Sequence, residues 1–264
     1  MPRTPELQWI FDPLPPSGAT QGGDPSTHVF AADLDTFVRE VLQNCADQRL
    51  ENSRATVDFS LIKLSGKQKT AFLDAMRWDA LRQHLETAAQ SDADLSPRIR
   101  RALDLQKGEP LILLRIEDRQ TAGLTGGEDE NNTNFRALCI NQLETTSGDS
   151  DRGGSYGLGK AVLKKFSLFS TLMFSSCIHD GSTTRLRLLG RAELPSHATG
   201  DVYWSGPGWF GLPDPDPTRD RAVSAWDDTA ESLAERVYLS RNPEAGTGTS
   251  ILVVGFFEPA EEET

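Results

Sequence analysis

Apolar residues recur at Leu34, Phe37, Val38, Val41, Leu42 and Cys45. This is the i, i+3, i+4, i+7 spacing of a helix that packs one stripe on a core. The pattern predicts a helix to about residue 50, capped by Asp33 or Asp35. Glu40, Asn44 and Asp47 share a second face, bordering the apolar stripe. That face is either an ordinary solvated one, or a base, an amide ligand and an acid held on a rigid element.

The pattern changes period along the chain. Residues 1 to 30 are rich in Pro and Gly and read as an extended arm, which Trp9, Ile10, Phe11 and Phe30 dock on the chain's own core or on a partner. Thr56 to Leu64 alternates and predicts a strand. Phe72, Leu73, Met76, Leu81 and Leu85 predict one amphipathic helix to about Ala89, and a shorter helix follows over Ile99 to Leu105. Leu111 to Ile116 is almost continuously apolar, as a central strand is. A polar connection of about 25 residues follows, with a short helix around Phe135 to Leu143. Its length marks it as a functional lid, at about 124–153. A helix begins near Ala161, a hairpin joins Phe169–Cys177 to Thr183–Ala192, and 200–217 reads as a Gly/Pro/aromatic loop. A helix from Asp227 to Leu239 and a strand from Ile251 to Phe257 precede an acidic tail, 258–264.

Composition narrows the class. The 37% hydrophobic content of 264 residues supports a sizeable core. A net charge of −12 disfavours non-specific binding to nucleic acid or to an anionic membrane surface. Cys45, Cys139 and Cys177 are too few and too scattered for a disulfide framework or zinc site, and the four histidines have no ligand spacing. The absence of a signal segment or long apolar run points to the cytoplasm.

Gly154-Ser-Tyr-Gly-Leu-Gly-Lys160 fits two phosphate-binding readings. As a P-loop it lacks the Ser or Thr for magnesium, Ala161 standing there, and the residues before it are too polar for a buried strand. As G-x-x-G-x-G it is a glycine turn feeding a helix N-terminus, which suits an anion. Glycine turns before helices are also common without any ligand.

Four elements occur in order: Glu40-x-x-x-Asn44-x-x-Asp47, a strand ending at Asp118 before Gly123, Gly154-x-x-Gly157-x-Gly159, and Gly248-Thr249 before a strand. Over about 30–257 this resembles the GHKL ATPase superfamily of gyrase B, HtpG-type chaperones, sensor histidine kinases and MutL. The wording of the motifs is most similar to bacterial stand-alone members near the chaperone and MORC branches, some of which sit in anti-phage defence operons. The resemblance implies an α/β fold of the Bergerat type: an α+β two-layer sandwich whose mixed, mostly antiparallel sheet carries its helices on one face.

The resemblance also implies roles. Glu40 would be the general base that activates water. Asn44 would ligate magnesium, with Asp47 supporting the same helix face. Asp118 would accept the adenine amine, directly and through a water shared with Thr249, and Gly123 would let the backbone pass close to the base. Gly154, Tyr156, Gly157, Leu158 and Gly159 would cradle the phosphates of ATP, with Lys160 adding charge. Phosphoryl transfer to water needs such positioning more than covalent chemistry. The implied activity is magnesium-dependent ATP hydrolysis that drives a conformational switch and an ATP-dependent homodimer. The alternatives are a non-catalytic nucleotide-sensing module and histidine-kinase-type phosphotransfer. Glu40 favours hydrolysis over the kinase. Two departures from the family pattern stand out. Four residues separate Asp118 from Gly123, where the family places glycine two and four residues after the acid. The lysine that reaches the γ-phosphate in hydrolytic relatives would come from a further domain or a partner, this chain being read as a fragment of a longer protein.

Overall fold

A computed structural model describes residues 6–20, 33–91, 96–105, 108–140 and 159–259. Its strands are β1 (Gln8–Pro13), β2 (Thr56–Leu64), β3 (Leu111–Arg119), β4 (Thr171–Asp180), β5 (Thr183–Ala192), β6 (His197–Thr199), β7 (Val202–Pro213), β8 (Ala222–Val223), β9 (Ala225–Trp226) and β10 (Gly248–Val254). Its α-helices are α1 (Leu34–Asp47), α2 (Gly66–Ala75), α3 (Trp78–Ser91), α4 (Ser96–Asp104), α5 (Gly159–Lys165) and α6 (Asp227–Arg236). The strands form one sheet in the order β1-β7-β5-β4-β10-β3-β2. Every pairing among the described residues is antiparallel, where a mixed sheet was expected.

Nor do the helices keep to one face. Alternation along the strands sends neighbouring residues into two separate cores. Leu113, Met173, Leu188, Leu252 and Val254 meet Phe72, Leu81, Leu85, Ile99 and Leu233 from α2, α3, α4 and α6. Leu114, Ile116, Phe174, Leu189 and Val253 meet Phe37 and Val41 of α1, Val162 and Leu163 of α5, and Phe135. The central strands are apolar on both sides, and such a sheet must be covered twice.

Local patterns explain the other differences. Asp33 caps α1, its carboxylate accepting the Thr36 amide at 2.7 Å. The α1 stripe is rotated from the expected one: Thr36, Phe37, Glu40, Val41 and Cys45 are buried, while Leu34, Val38 and Leu42 are exposed, Leu42 to 47%. The single helix expected to Ala89 is two, α2 and α3, broken where Arg77 takes a positive φ of 53°. The break frees the Met76 carbonyl to accept the Trp9 indole at 2.8 Å and lets Trp78 pack on Phe169. The loop expected over 200–217 is largely β7, which pairs with both β1 and β5. Its glycines make room for neighbours. A Cβ at Gly208 would lie 2.4 Å from the Phe11 ring, and one at Gly211 2.3 Å from the Val223 carbonyl oxygen. Of the two docking places expected for the N-terminal arm, β1 takes the chain's own core, burying Trp9 and Phe11, while Phe30 lies outside the described residues.

Phe11 stacks on His84 of α3 with ring centroids 3.7 Å apart, and His84 Nδ1 lies 2.8 Å from His197 Nε2. His197 Nδ1 lies 2.8 Å from the Pro195 carbonyl oxygen and must donate to it, so Nε2 accepts the His84 N–H. Burial, then the neighbouring His197, pulls His84 from 6.5 down to about 4. The unfolded chain therefore binds more protons between those values, and stability is lost as pH falls from 6.5 towards 4. Calorimetric melting should show a fall in Tm across this window that His84→Gln reduces. Identical slopes in the two proteins would disprove the neutral pair.

Candidate functional site

The site is built where β3, β10, β4 and β5 run side by side. Ile116, Phe174, Leu189 and Val253 face the α1/α5 core. Even spacing from them puts Asp118, Ser176, Arg187 and Thr249 on the same face. Register pairs Val57 with Asp118, Thr249 with Ser176, and Ser176 with Arg187. The Thr249 amide donates to Asp118 Oδ1 at 2.8 Å, closing the row between β10 and β3. A polar row thus crosses four strands at one end of a sheet whose middle is apolar.

Asp118 is the acid of this row. Thr121 Oγ1 also donates to Oδ1, at 2.5 Å, while Oδ2 accepts no hydrogen bond among the described residues. Burial pushes the Asp118 carboxyl above its usual range, against the pull of Thr121, Thr249 and the Arg241 guanidinium. Arg241 braces the strand end, donating to the Asp118 carbonyl at 2.7 Å and to Ser250 Oγ at 2.7 Å. Gly248 fits only because it has no side chain: a Cβ there would lie 2.3 Å from the Asp118 carbonyl oxygen.

The C-terminal end of α1 closes on the same place. The Ala122 amide donates to the Gln48 carbonyl at 2.8 Å, and Leu50 donates to the Gln120 carbonyl at 3.1 Å. Asn134 Nδ2 donates to Gln48 Oε1 at 2.5 Å and to the Gly123 carbonyl at 3.1 Å. Cys45 is near enough that the Asp118 charge adds to burial, and the thiol is pushed up to about 11. It is protonated and unreactive at neutral pH.

No family model matches the chain, and neither a curated protein nor a solved structure matches it. The geometry stands alone.

That geometry sorts the residues expected from sequence. Asp118, Thr249 and Gly123 come together. Gly123 has a φ of +71°, and a Cβ there would lie 2.7 Å from Ser176 Oγ, so its place is a close crossing of β4. Glu40 is buried at 6% exposure, whereas Asn44 and Asp47, further along α1, are exposed. Gly159 and Lys160 open α5, which packs along α1, and Phe166 just after it meets Phe37 with ring centroids 4.7 Å apart. Gly154, Tyr156, Gly157 and Leu158 lie outside the described residues. The stretch expected as a lid is described only to residue 140, the expected short helix being a π-helical turn, Arg136–Ile140.

Several residues of the site have no sequence signal. Gln48, Asn134, Ser176 and Arg241 act through one or two hydrogen bonds each, at positions that read as ordinary polar residues. Arg187 and Arg191 alternate along β5 as solvent-facing residues would, yet both are buried. Among the described residues no group of three or more His, Cys, Asp or Glu side chains could hold a metal. No described helix is long and apolar enough to cross a membrane.

Proposed function

We propose that the chain binds an adenine nucleotide with magnesium and hydrolyses it slowly, as a GHKL-type switch. The observation that supports this most is Asp118 with one oxygen fixed by Thr121 and Thr249 and the other uncommitted, beneath the end of the helix that carries Glu40 and Asn44. A carboxylate oxygen held this way is an acceptor for an exocyclic amine. The Thr249 hydroxyl, on the same face of the sheet, can share a water with it.

The residues present fit the remaining parts of the ligand. Asn44 is exposed, and its side-chain oxygen would be the protein's ligand to a magnesium ion. Bound there, the metal would neutralise charge on the phosphates. Glu40, buried one helical turn earlier, would be the group that orients a water and takes its proton. The reading predicts a defined loss. Asp118→Asn offers the amine a donor on one side and weakens the binding of MgATP by tenfold or more, about 1.4 kcal/mol. Isothermal calorimetry on both proteins is the test. Equal affinities would take Asp118 out of the site, and no binding by the parent chain would end the reading.

A further inference from the structure

We infer that Arg187 is a positioning residue for the Asp118 site, clamping residues 124–128 to the sheet and so fixing the wall beside that carboxylate. The inference rests on the nucleotide reading and adds to it the device that shapes its adenine side.

Arg187 lies in the middle of β5 and is 1% exposed. Nη1 donates to the carbonyls of Leu124 at 3.1 Å and Gly126 at 2.6 Å. Nη2 donates to Glu128 Oε1 at 2.8 Å, and Nε to Ser224 Oγ at 2.7 Å. Glu128 Oε1 also accepts the Ser224 amide at 3.1 Å. The guanidinium carbon stands 3.2 Å from the centre of the Phe135 ring and 4.6 Å from that of Trp226. Desolvating a guanidinium in a sheet core is expensive, and an apolar side chain of similar size would fill the space with less penalty. What an apolar residue could not do is hold three points of one loop at once.

Those points lie on the route to Asp118. The loop crosses the strand ends, and each strand fixes one step of it. Asp118 on β3 takes the Thr121 hydroxyl, Ser176 on β4 accepts the Leu124 amide at 2.9 Å, and Arg187 on β5 takes Leu124, Gly126 and Glu128. Arg191, on the same face of β5, holds the Cys139 and Ile140 carbonyls at the far end of the segment. Lifting the loop at 124–126 draws Thr121 off Asp118 only three residues away and leaves the carboxylate held by the Thr249 amide alone.

Two variants test this in the full chain. Arg187→Lys keeps the charge but loses the fork. Glu128→Gln leaves Arg187 in place and removes the carboxylate at the loop's end, so it answers the question even if Arg187→Lys does not fold. Without nucleotide, hydrogen exchange of the 121–128 amides should speed up about tenfold in Glu128→Gln, with core strands β4 and β10 unchanged. With MgATP, the affinity should fall about tenfold, and the loss should appear in KM rather than kcat. Faster loop exchange with unaltered affinity overturns the inference, as does unaltered loop exchange in a folded variant. A parent chain that gives no binding heat with MgATP sinks the nucleotide reading and this inference together. A binding parent matched by Glu128→Gln sinks the inference alone.

Discussion

Glu40→Gln should bind MgATP as tightly as the parent chain and release phosphate at least about a hundredfold more slowly, the usual contribution of a positioned base. The substitution keeps shape and removes only the capacity to take a proton. The structural ground lies in how α1 is rotated. A helix with Leu34, Val38 and Leu42 available would bury them, yet it leaves all three exposed and turns Glu40 inward beside Val41. Desolvating a carboxylate is costly even where it has a partner, as Glu40 does, and leaving aliphatic surface in water adds to the cost; such local conflicts gather at functional sites. Phosphate release at saturating ATP, set against calorimetric affinity, measures both halves of the expectation. An unchanged rate would remove Glu40 as the base. Loss of binding together with turnover would make it a structural residue. A parent chain that binds ATP without releasing phosphate would be the nucleotide-sensing module instead.

The second large effect concerns stability. Phe11→Ala should lower the free energy of unfolding by about 3–4 kcal/mol, the range for an aromatic lost from a packed core. Phe11 is buried, stacks on His84, meets His197 and Trp204 edge-on, and fills the space that Gly208 leaves by having no Cβ. Its neighbours are anchored in α3, β6 and β7 and cannot close the gap. Urea unfolding followed by tryptophan fluorescence gives the value. A loss below about 1 kcal/mol would mean that the backbone ladder to β7 holds β1 and the ring adds little.

Where a single period governs the chain, sequence and structure agree closely. Strand β2 and the cap at Asp33 follow from alternation and capping chemistry, and β4 and β5 from the Asp180-Gly181 turn that joins them, because nothing outside those segments competes. Legibility fails where a residue serves a distant neighbour. The glycines of β7 read as loop because their reason is Phe11 and Val223, remote in sequence. The break at Arg77 is set by partners at Trp9 and Phe169. Within the site, β3 runs to Asp118 as its apolar run predicts, whereas the positive φ of Gly123 serves a crossing of β4 where the resemblance implied a close approach to the base. Arg187 could not be seen in the same way, since buried and solvent-facing arginines alternate identically along a strand. The rotation of α1 is a third kind of miss: the helix was legible, but periodicity alone cannot say which of two adjacent stripes faces inward.

The first strand of the chain is among the last to find its place. Gln8 pairs with Gly211, about 200 residues away. At synthesis rates of about 5–20 residues per second, that interval is on the order of 10–40 s. Through most of it Trp9 and Phe11 have only Met76 and His84 to rest on and no β7 to pair with, so a newborn chain carries a half-covered aromatic hook until its far edge emerges. Closing so long a span comes late in folding, and the growing chain should therefore be most vulnerable to aggregation and to chaperone capture before residue 213 leaves the ribosome.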